Sequence, residues 1–118
     1  SAYDAENGSL YIHSSRGYTR SGEIKPELAA PGVGISAVAK NGSLTSVTGT
    51  SAAAALTAGA AALLVDWRLE GNPRHLMTSS ELKNFLIRGA GRSRDLTYPN
   101  RSWGYGTLNV YGAFESLL

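Results

Sequence analysis

The chain has 118 residues, a formal net charge of +2 and no cysteine. This length corresponds to one domain with a modest hydrophobic core. Acidic and basic residues are interspersed without a basic stripe, which argues against a nucleic-acid-binding surface. Without cysteine the chain has neither a disulfide framework nor a cysteine-based metal site, and its two histidines leave little for a histidine-rich one.

The N-terminal part of the chain predicts a loop followed by a short strand. Residues 3–8 form the loop, and Asn7-Gly8 within it is a strong turn signal. A short strand is expected at residues 10–13, where apolar and polar residues alternate. The polar segment 14–23 that follows is expected to be irregular.

A β-hairpin is predicted next. The Pro-Gly pair at 31–32 marks a turn into a strand at residues 34–39. The Asn-Gly pair at 41–42 predicts a second turn, and residues 44–48 form the returning arm. We expect this arm to lead directly to Gly49.

The longest helix is predicted from residue 50 or 51 to residue 68, with Gly-Asn-Pro at 71–73 as its stop signal. Its apolar stretch, residues 52–65, is shorter than the roughly 20 residues that span a bilayer, so no membrane partner is expected. Its many alanines and glycines give little side-chain bulk on any face. Such a helix suits tight packing inside a protein.

The C-terminal part predicts two further helices and a strand. A capping box at residues 78–81 opens a helix that runs to about residue 87. A short strand is expected at residues 106–110 and a terminal helix at 111–118. The terminal helix is expected to pack through three apolar side chains: Phe114, Leu117 and Leu118.

Ser51 is the candidate catalytic residue. It follows a polar, glycine-containing turn and stands at the start of the long helix, where backbone N–H groups lack intrahelical partners. An oxyanion formed beside Ser51 would be stabilised there by these groups and by the helix dipole. The structural alternative is that Thr50 or Ser51 is only the N-cap of a buried helix.

Three motifs in order make the first interpretation more specific. Residues 14–17 are Ser-Ser-Arg-Gly, residues 24–32 contain Lys-Pro-Glu-Leu-Ala-Ala-Pro-Gly, and residues 49–51 are Gly-Thr-Ser. Together they resemble three segments of the subtilisin-like serine proteases, the last of which carries the nucleophile. Residues 103–110 also resemble the segment that closes the subtilase domain, and residues 16–20 resemble its clostridial, germination-type branch.

The resemblance implies an α/β fold and an incomplete site. The chain is expected to be the C-terminal portion of a subtilisin-like three-layer fold with a mainly parallel sheet, covering residues 1–118. Ser51 would be the nucleophile, with no cofactor and no catalytic metal. The family's Asp-Ser/Thr-Gly and His-Gly-Thr-His motifs and its oxyanion-binding Asn are absent from this sequence.

The two histidines do not replace the missing base. His13 and His75 both lack the family's flanking motif, so each is interpreted as a surface or core histidine. The nucleophile segment also departs from the family at three positions, most clearly at Ala55, where proline is nearly standard; the others are Ala52 and Leu56. The change at residue 55 favours somewhat the alternative of a pseudoprotease.

Two functional hypotheses follow. The first is a segment of a serine endopeptidase, inactive alone, whose partners are a protein or peptide substrate and the remainder of the protease domain. The branch resemblance implies a spore cortex-lytic pro-enzyme as substrate and a secreted or spore-associated parent. The second is a pseudoprotease or binding scaffold on the same fold.

As a separate polypeptide, the chain is expected to dimerise or swap elements, because strand edges and apolar helix surface would be exposed.

Overall fold

The computed structural model describes residues 1–71, 74 and 76–118. In chain order the elements are strands β1 to β4 and helices α1 to α3, which confirms the predicted α/β class. Their bounds are β1 Ala2–Tyr3, β2 Ala30–Pro31, β3 Ile35–Val38, β4 Leu44–Val47, α1 Thr50–Gly71, α2 Ser79–Arg88 and α3 Val110–Glu115.

The first sheet is a parallel pair formed by β1 and β2. Ala2 lies opposite Ala30 and Tyr3 opposite Pro31. The alanines are fully or almost fully buried and pack on Ala53 of α1. Small side chains at these positions let the helix approach the sheet closely, so the parallel pair forms a layer directly beneath the first half of α1.

The second sheet is the predicted hairpin. Strands β3 and β4 pair in antiparallel register from Ile35 opposite Val47 to Val38 opposite Leu44. Gly42 has a φ of 82°, which glycine adopts without steric cost. The Asn41 side chain accepts a hydrogen bond from the Ser43 N–H at 3.0 Å. The local turn chemistry therefore sets the register, as the sequence predicted.

Helix α1 has 22 residues and continues to Gly71, beyond the predicted end. By length and composition it is apolar enough to cross a membrane. The prediction that this segment is too short to span a bilayer is therefore wrong, because it counted only the apolar residues 52–65 and not the whole helix. Of the predicted stop signal, Asn72 and Pro73 lie outside the described residues.

The second half of α1 packs against the two other helices. Leu64 is fully buried and forms a cluster with Leu86 of α2 and Ala113 of α3. The predicted capping box is present at α2, where Thr78 is the N-cap and exchanges hydrogen bonds with Glu81. This cluster is the second core of the described chain, on the side of α1 that faces the C-terminal elements.

Several predicted elements differ in the structure. Residues 10–13 form no strand: Leu10 makes one antiparallel bridge to Tyr3, and Ile12 is 87% exposed. The strand predicted at 106–110 is reduced to bridges at Thr107, because the chain already enters α3 at Val110. Leu118 is 96% exposed, whereas Phe114 and Leu117 pack on the core as predicted.

Candidate active site

Ser51 is the second residue of α1, and its side chain is exposed. The chain reaches it from β4 through Thr48 and Gly49. Gly49 has a φ of 152°, a conformation that residues with a side chain rarely adopt. The glycine therefore permits the change of direction between strand and helix that places Ser51 at the helix start.

The structure does not support Thr50 or Ser51 as the N-cap. The N–H groups of Ala52 and Ala53 both donate to the Gly49 carbonyl, at 3.1 and 3.3 Å. Because the N-cap is the residue whose carbonyl accepts the first intrahelical hydrogen bond, the N-cap is Gly49. Among the described residues the Ser51 hydroxyl has no hydrogen-bond partner. Capping therefore does not account for this serine.

Two N–H groups remain available in the first turn of α1. Within the described part of the chain, those of Thr50 and Ser51 donate to no acceptor. Free N–H groups and the positive end of the helix dipole both favour negative charge at this place. The start of α1 can therefore stabilise an oxyanion that forms on a carbonyl attacked by Ser51.

Two grooves meet at the start of α1. One, of about 440 Å³, is lined by residues of the 14–19 segment together with Lys25, Pro26 and Thr50. The other, of about 410 Å³, lies between α1 and α2 and is also lined by Thr50 and Pro26. The Ser-Ser-Arg-Gly segment and the Gly-Thr-Ser segment, which are distant in the sequence, thus lie side by side.

Ser14, the first residue of Ser-Ser-Arg-Gly, has a structural role. Its hydroxyl oxygen accepts a hydrogen bond from the Ala2 N–H at 3.0 Å, and the residue is 7% exposed. The contact fastens the loop to β1 and, with it, to the layer beneath α1. Sequence analysis did not identify this role, because Ala2 is remote in the chain and carries no polar side chain.

The described chain brings no general base to Ser51. His13 is exposed, and its ring lies edge-on to that of Tyr11 with 5.4 Å between the ring centroids. No hydrogen bond joins Ser51 to a histidine or to a carboxylate in the part of the chain that is described. His75 lies outside that part. The site as described therefore consists of the hydroxyl and the two N–H donors.

Residues 1–71, 74 and 76–118 contain no group of three histidine or acidic side chains arranged to hold a metal ion. At the start of α1 the Ser51 hydroxyl oxygen can attack a carbonyl carbon, and the adjacent N–H groups can stabilise the negative charge that develops on the carbonyl oxygen.

An ion-pair network lies beside the groove between α1 and α2. The Glu27 carboxylate is 2.6 Å from Lys83 Nζ of α2 and 3.2 Å from Lys25 Nζ. Burial alone would raise the pKa of Glu27, but the hydrogen bonds and charges of the two lysines outweigh it and lower the pKa below its usual value. The Glu27 carboxylate in turn raises the pKa of Lys83. The network joins the segment before β2 to α2.

Comparison with solved structures identifies this arrangement as a protease fold. The chain superposes on the CspB protease of Clostridium perfringens with a TM-score of 0.90 and 34% identity, covering 98% of this chain and 25% of that one. The prenylagaramide maturation protease PagA matches with a TM-score of 0.74 and 25% identity, covering 99% of this chain and 41% of that one. The chain thus spans a quarter to two-fifths of the length of these structures.

A third solved structure, also of a protease, has the same fold. The self-cleaved protease domain of PatA matches with a TM-score of 0.74 and 25% identity, covering 98% of this chain and 39% of that chain. Curated protein sequences give no match. The similarity to CspB is consistent with the clostridial branch, and the shared architecture confirms the subtilisin-like α/β fold. The model of the subtilase family matches residues 1–106, and the chain therefore belongs to that family.

Proposed function

We propose that the chain is the C-terminal, nucleophile-bearing part of a subtilisin-like serine endopeptidase domain, with Ser51 as the nucleophile. The observation that carries the proposal is the exposed Ser51 hydroxyl beside two free N–H groups at the start of α1, in a chain of the subtilase family. A serine in this environment is accessible to a peptide carbonyl and adjacent to donors that favour the resulting negative charge.

The reaction requires groups from the remainder of the domain. A histidine there takes the Ser51 proton as the hydroxyl oxygen attacks the peptide carbonyl, and an aspartate orients that histidine. The tetrahedral oxyanion is held by the Ser51 N–H and an asparagine amide. The histidine then protonates the leaving amine, and water hydrolyses the acyl-enzyme in a second, equivalent step. The isolated chain is accordingly inactive.

The main partner of the chain is the remainder of the protease domain. An apolar groove of about 450 Å³ runs along α1 between Leu56 and Leu63 and is closed on its other side by Pro31, Leu108 and Val110. The chain covers 25% of the CspB chain, and the remaining part of such a domain is available to fill this groove. α1 is then a core helix of the protease domain rather than a membrane segment.

Association is expected when the chain is made as a separate polypeptide. The β3–β4 hairpin has only two strands, so its outer edges carry unpaired backbone groups. Together with the open groove on α1 these edges favour a dimer or an exchange of elements.

The substrate is the peptide bond of a protein, such as a spore cortex-lytic pro-enzyme, acted on by a secreted or spore-associated parent.

Covalent labelling of the full-length protein with an alkyl fluorophosphonate tests the nucleophile directly. We expect one modified site, mapped to Ser51 by peptide mass spectrometry, and no modification of the separate 118-residue chain, because a serine without its base reacts poorly. Modification of a different serine would overturn the assignment. A full-length protein that is neither labelled nor able to cleave peptides would favour the pseudoprotease alternative.

A further inference from the structure

The turn before Ser51 is joined to the turn between β2 and β3 by two hydrogen bonds. The Gly49 N–H donates to the Gly32 carbonyl at 2.7 Å. The Gly34 N–H donates to the Thr48 hydroxyl oxygen at 2.9 Å. The first bond is between backbone groups and is available to any residue that fits at position 49, whereas the second depends on the side chain of Thr48.

The Gly32 end of this connection is tightly held. A Cβ atom on Gly32 would lie 2.7 Å from the Ala2 Cβ, 2.8 Å from the Gly49 carbonyl oxygen and 3.2 Å from the Ala53 Cβ. Gly32 is thus wedged between β1 and the first turn of α1. Its position relative to the start of α1 is set by direct contact with both elements.

The Thr48 end has less support. The last backbone pair of the hairpin joins Ile35 to Val47, directly before Thr48. After this pair the chain leaves the strand and enters the helix within three residues, at Thr50. The hydrogen bond between the Thr48 hydroxyl and the Gly34 N–H adds one more link between the two arms of the hairpin, beyond the last backbone pair. It holds Thr48 itself, which Gly32 does not contact through a hydrogen bond.

We propose that Thr48 is a positioning residue for the Ser51 nucleophile. By accepting the Gly34 N–H, its hydroxyl holds the turn of residues 48–50 against the hairpin and so sets the point at which α1 begins. A nucleophile must lie within a few tenths of an ångström of its reactive position, and a displacement of about 1 Å costs up to about 100-fold in rate. This inference rests on the proposed function.

The test compares variants of the full-length protein in peptide cleavage. In Thr48→Val the acceptor is lost at nearly constant volume, and we expect kcat to fall roughly tenfold while KM stays within about twofold, because only the placement of the nucleophile changes. Thr48→Ser keeps the hydroxyl and should restore kcat to within about twofold of the wild type. Thr48→Ala should behave like Thr48→Val.

Thr45→Val is the matched control. Thr45 is exposed in β4, the strand directly before Thr48, and lies opposite Ala37; its hydroxyl makes no hydrogen bond to the residues that the structure describes. Thermal unfolding of all variants separates positioning from stability, since a purely structural role would lower the unfolding temperature without a selective loss of kcat at 25 °C. Equal kcat for Thr48→Val and Thr45→Val, or a loss that Thr48→Ser does not restore, would overturn the inference.

The two proposals fail in different ways. If Ser51→Ala abolishes cleavage and Thr48→Val does not reduce kcat, only the role of Thr48 is overturned. If the wild-type protein is inactive, or Ser51→Ala cleaves normally, the proposed function is overturned and the positioning role is overturned with it.

Discussion

The buried and the exposed faces of α1 differ sharply. Leu64 is 0% exposed and packs between α2 and α3, whereas its neighbour Leu63 is 57% exposed beside the apolar groove. Gly59 on the exposed side has open space where a Cβ atom would lie. The chain therefore buries one side of its longest helix with its own residues. The other side, which is equally apolar, is open to a further part of the protein.

The two ends of the helix differ in a related way. The second half is held by the cluster around Leu64, while the first turn is held by Ala53 against the sheet and by the hydrogen bonds of Gly49 and Thr48. Ser51 is thus exposed, although the turn that carries it is held by Ala53 and by the hydrogen bonds of Gly49 and Thr48.

Substitution of the two adjacent leucines tests the contrast between the faces. In the separate chain, Leu64→Ala should lower the free energy of unfolding by about 2–5 kcal/mol, because it leaves a cavity in a packed cluster. Leu63→Ala should change it by no more than about 0.5 kcal/mol at concentrations where the separate chain is monomeric, as is usual for exposed positions. Urea unfolding measures both values.

The same pair sharpens the comparison in the full-length protein. If the remainder of the domain covers the groove, Leu63→Ala becomes destabilising there, by an amount approaching that of Leu64→Ala. Equal effects of the two substitutions in the separate chain would contradict the described burial. A neutral Leu63→Ala in the full-length protein would show that nothing packs on this face.

A smaller effect on the free energy of unfolding is expected from the ion pairs of Glu27 with Lys25 and Lys83. The pKa of Glu27 is lowered by Lys83 and Lys25 against the opposing effect of burial, so the folded chain releases this proton more readily than the unfolded chain. The stabilisation is present above the unfolded pKa of about 4.3 and is lost as the pH falls through the lowered folded value. The raised pKa of Lys83 adds stability below its unfolded pKa, which is lost as the pH rises through the raised value.

Glu27→Gln should therefore reduce the free energy of unfolding at neutral pH and match the wild type in strong acid, where Glu27 is protonated in both states. Urea unfolding at a series of pH values gives this dependence. Glu6→Gln, at an exposed position in the turn closed by the hydrogen bond from the Asp4 N–H to the Ser9 carbonyl, serves as the control and should follow the wild type throughout. A constant difference between Glu27→Gln and the wild type at all pH values would show that the carboxylate charge is not involved.

Elements with local signals were predicted well from the sequence. The hairpin follows from the Asn-Gly pair at 41–42, and α2 follows from the capping box of Thr78 and Glu81. In both cases the deciding hydrogen bonds join residues two or three positions apart. Such contacts form within a short segment, so the identity of the residues is sufficient to indicate them.

Elements that depend on distant contacts were not predicted. The parallel pair of β1 and β2 consists of two residues on each side, too few for a periodic pattern, and exists because Ala2 meets Ala30 across the fold. The predicted strand at 10–13 has the right alternation, but only Leu10 finds a pairing partner. Whether a short segment becomes a strand is decided by its neighbours in space.

The same distinction applies to the candidate site. The position of Ser51 was predictable, because Gly49 and the run of alanines are adjacent to it in the sequence. The hydrogen bond from Gly34 to Thr48 and the one from Ala2 to Ser14 were not, since each joins residues more than ten positions apart without a local signal. The candidate serine was thus indicated by its neighbours in the sequence, whereas the hydrogen bonds that hold its surroundings were found only in the structure.

Replacement of Ser51 in the full-length protein tests the central claim most directly. Ser51→Ala should lower kcat/KM for peptide cleavage by at least about 10⁴-fold, because no other group supplies the attacking oxygen. Ser46→Ala, which removes an exposed hydroxyl from β4, should leave cleavage unchanged. The free energy of unfolding should stay within about 1 kcal/mol, since Ser51 neither caps the helix nor lies in the core. Cleavage by Ser51→Ala at a rate close to that of the wild type would contradict the assignment of Ser51 as the nucleophile.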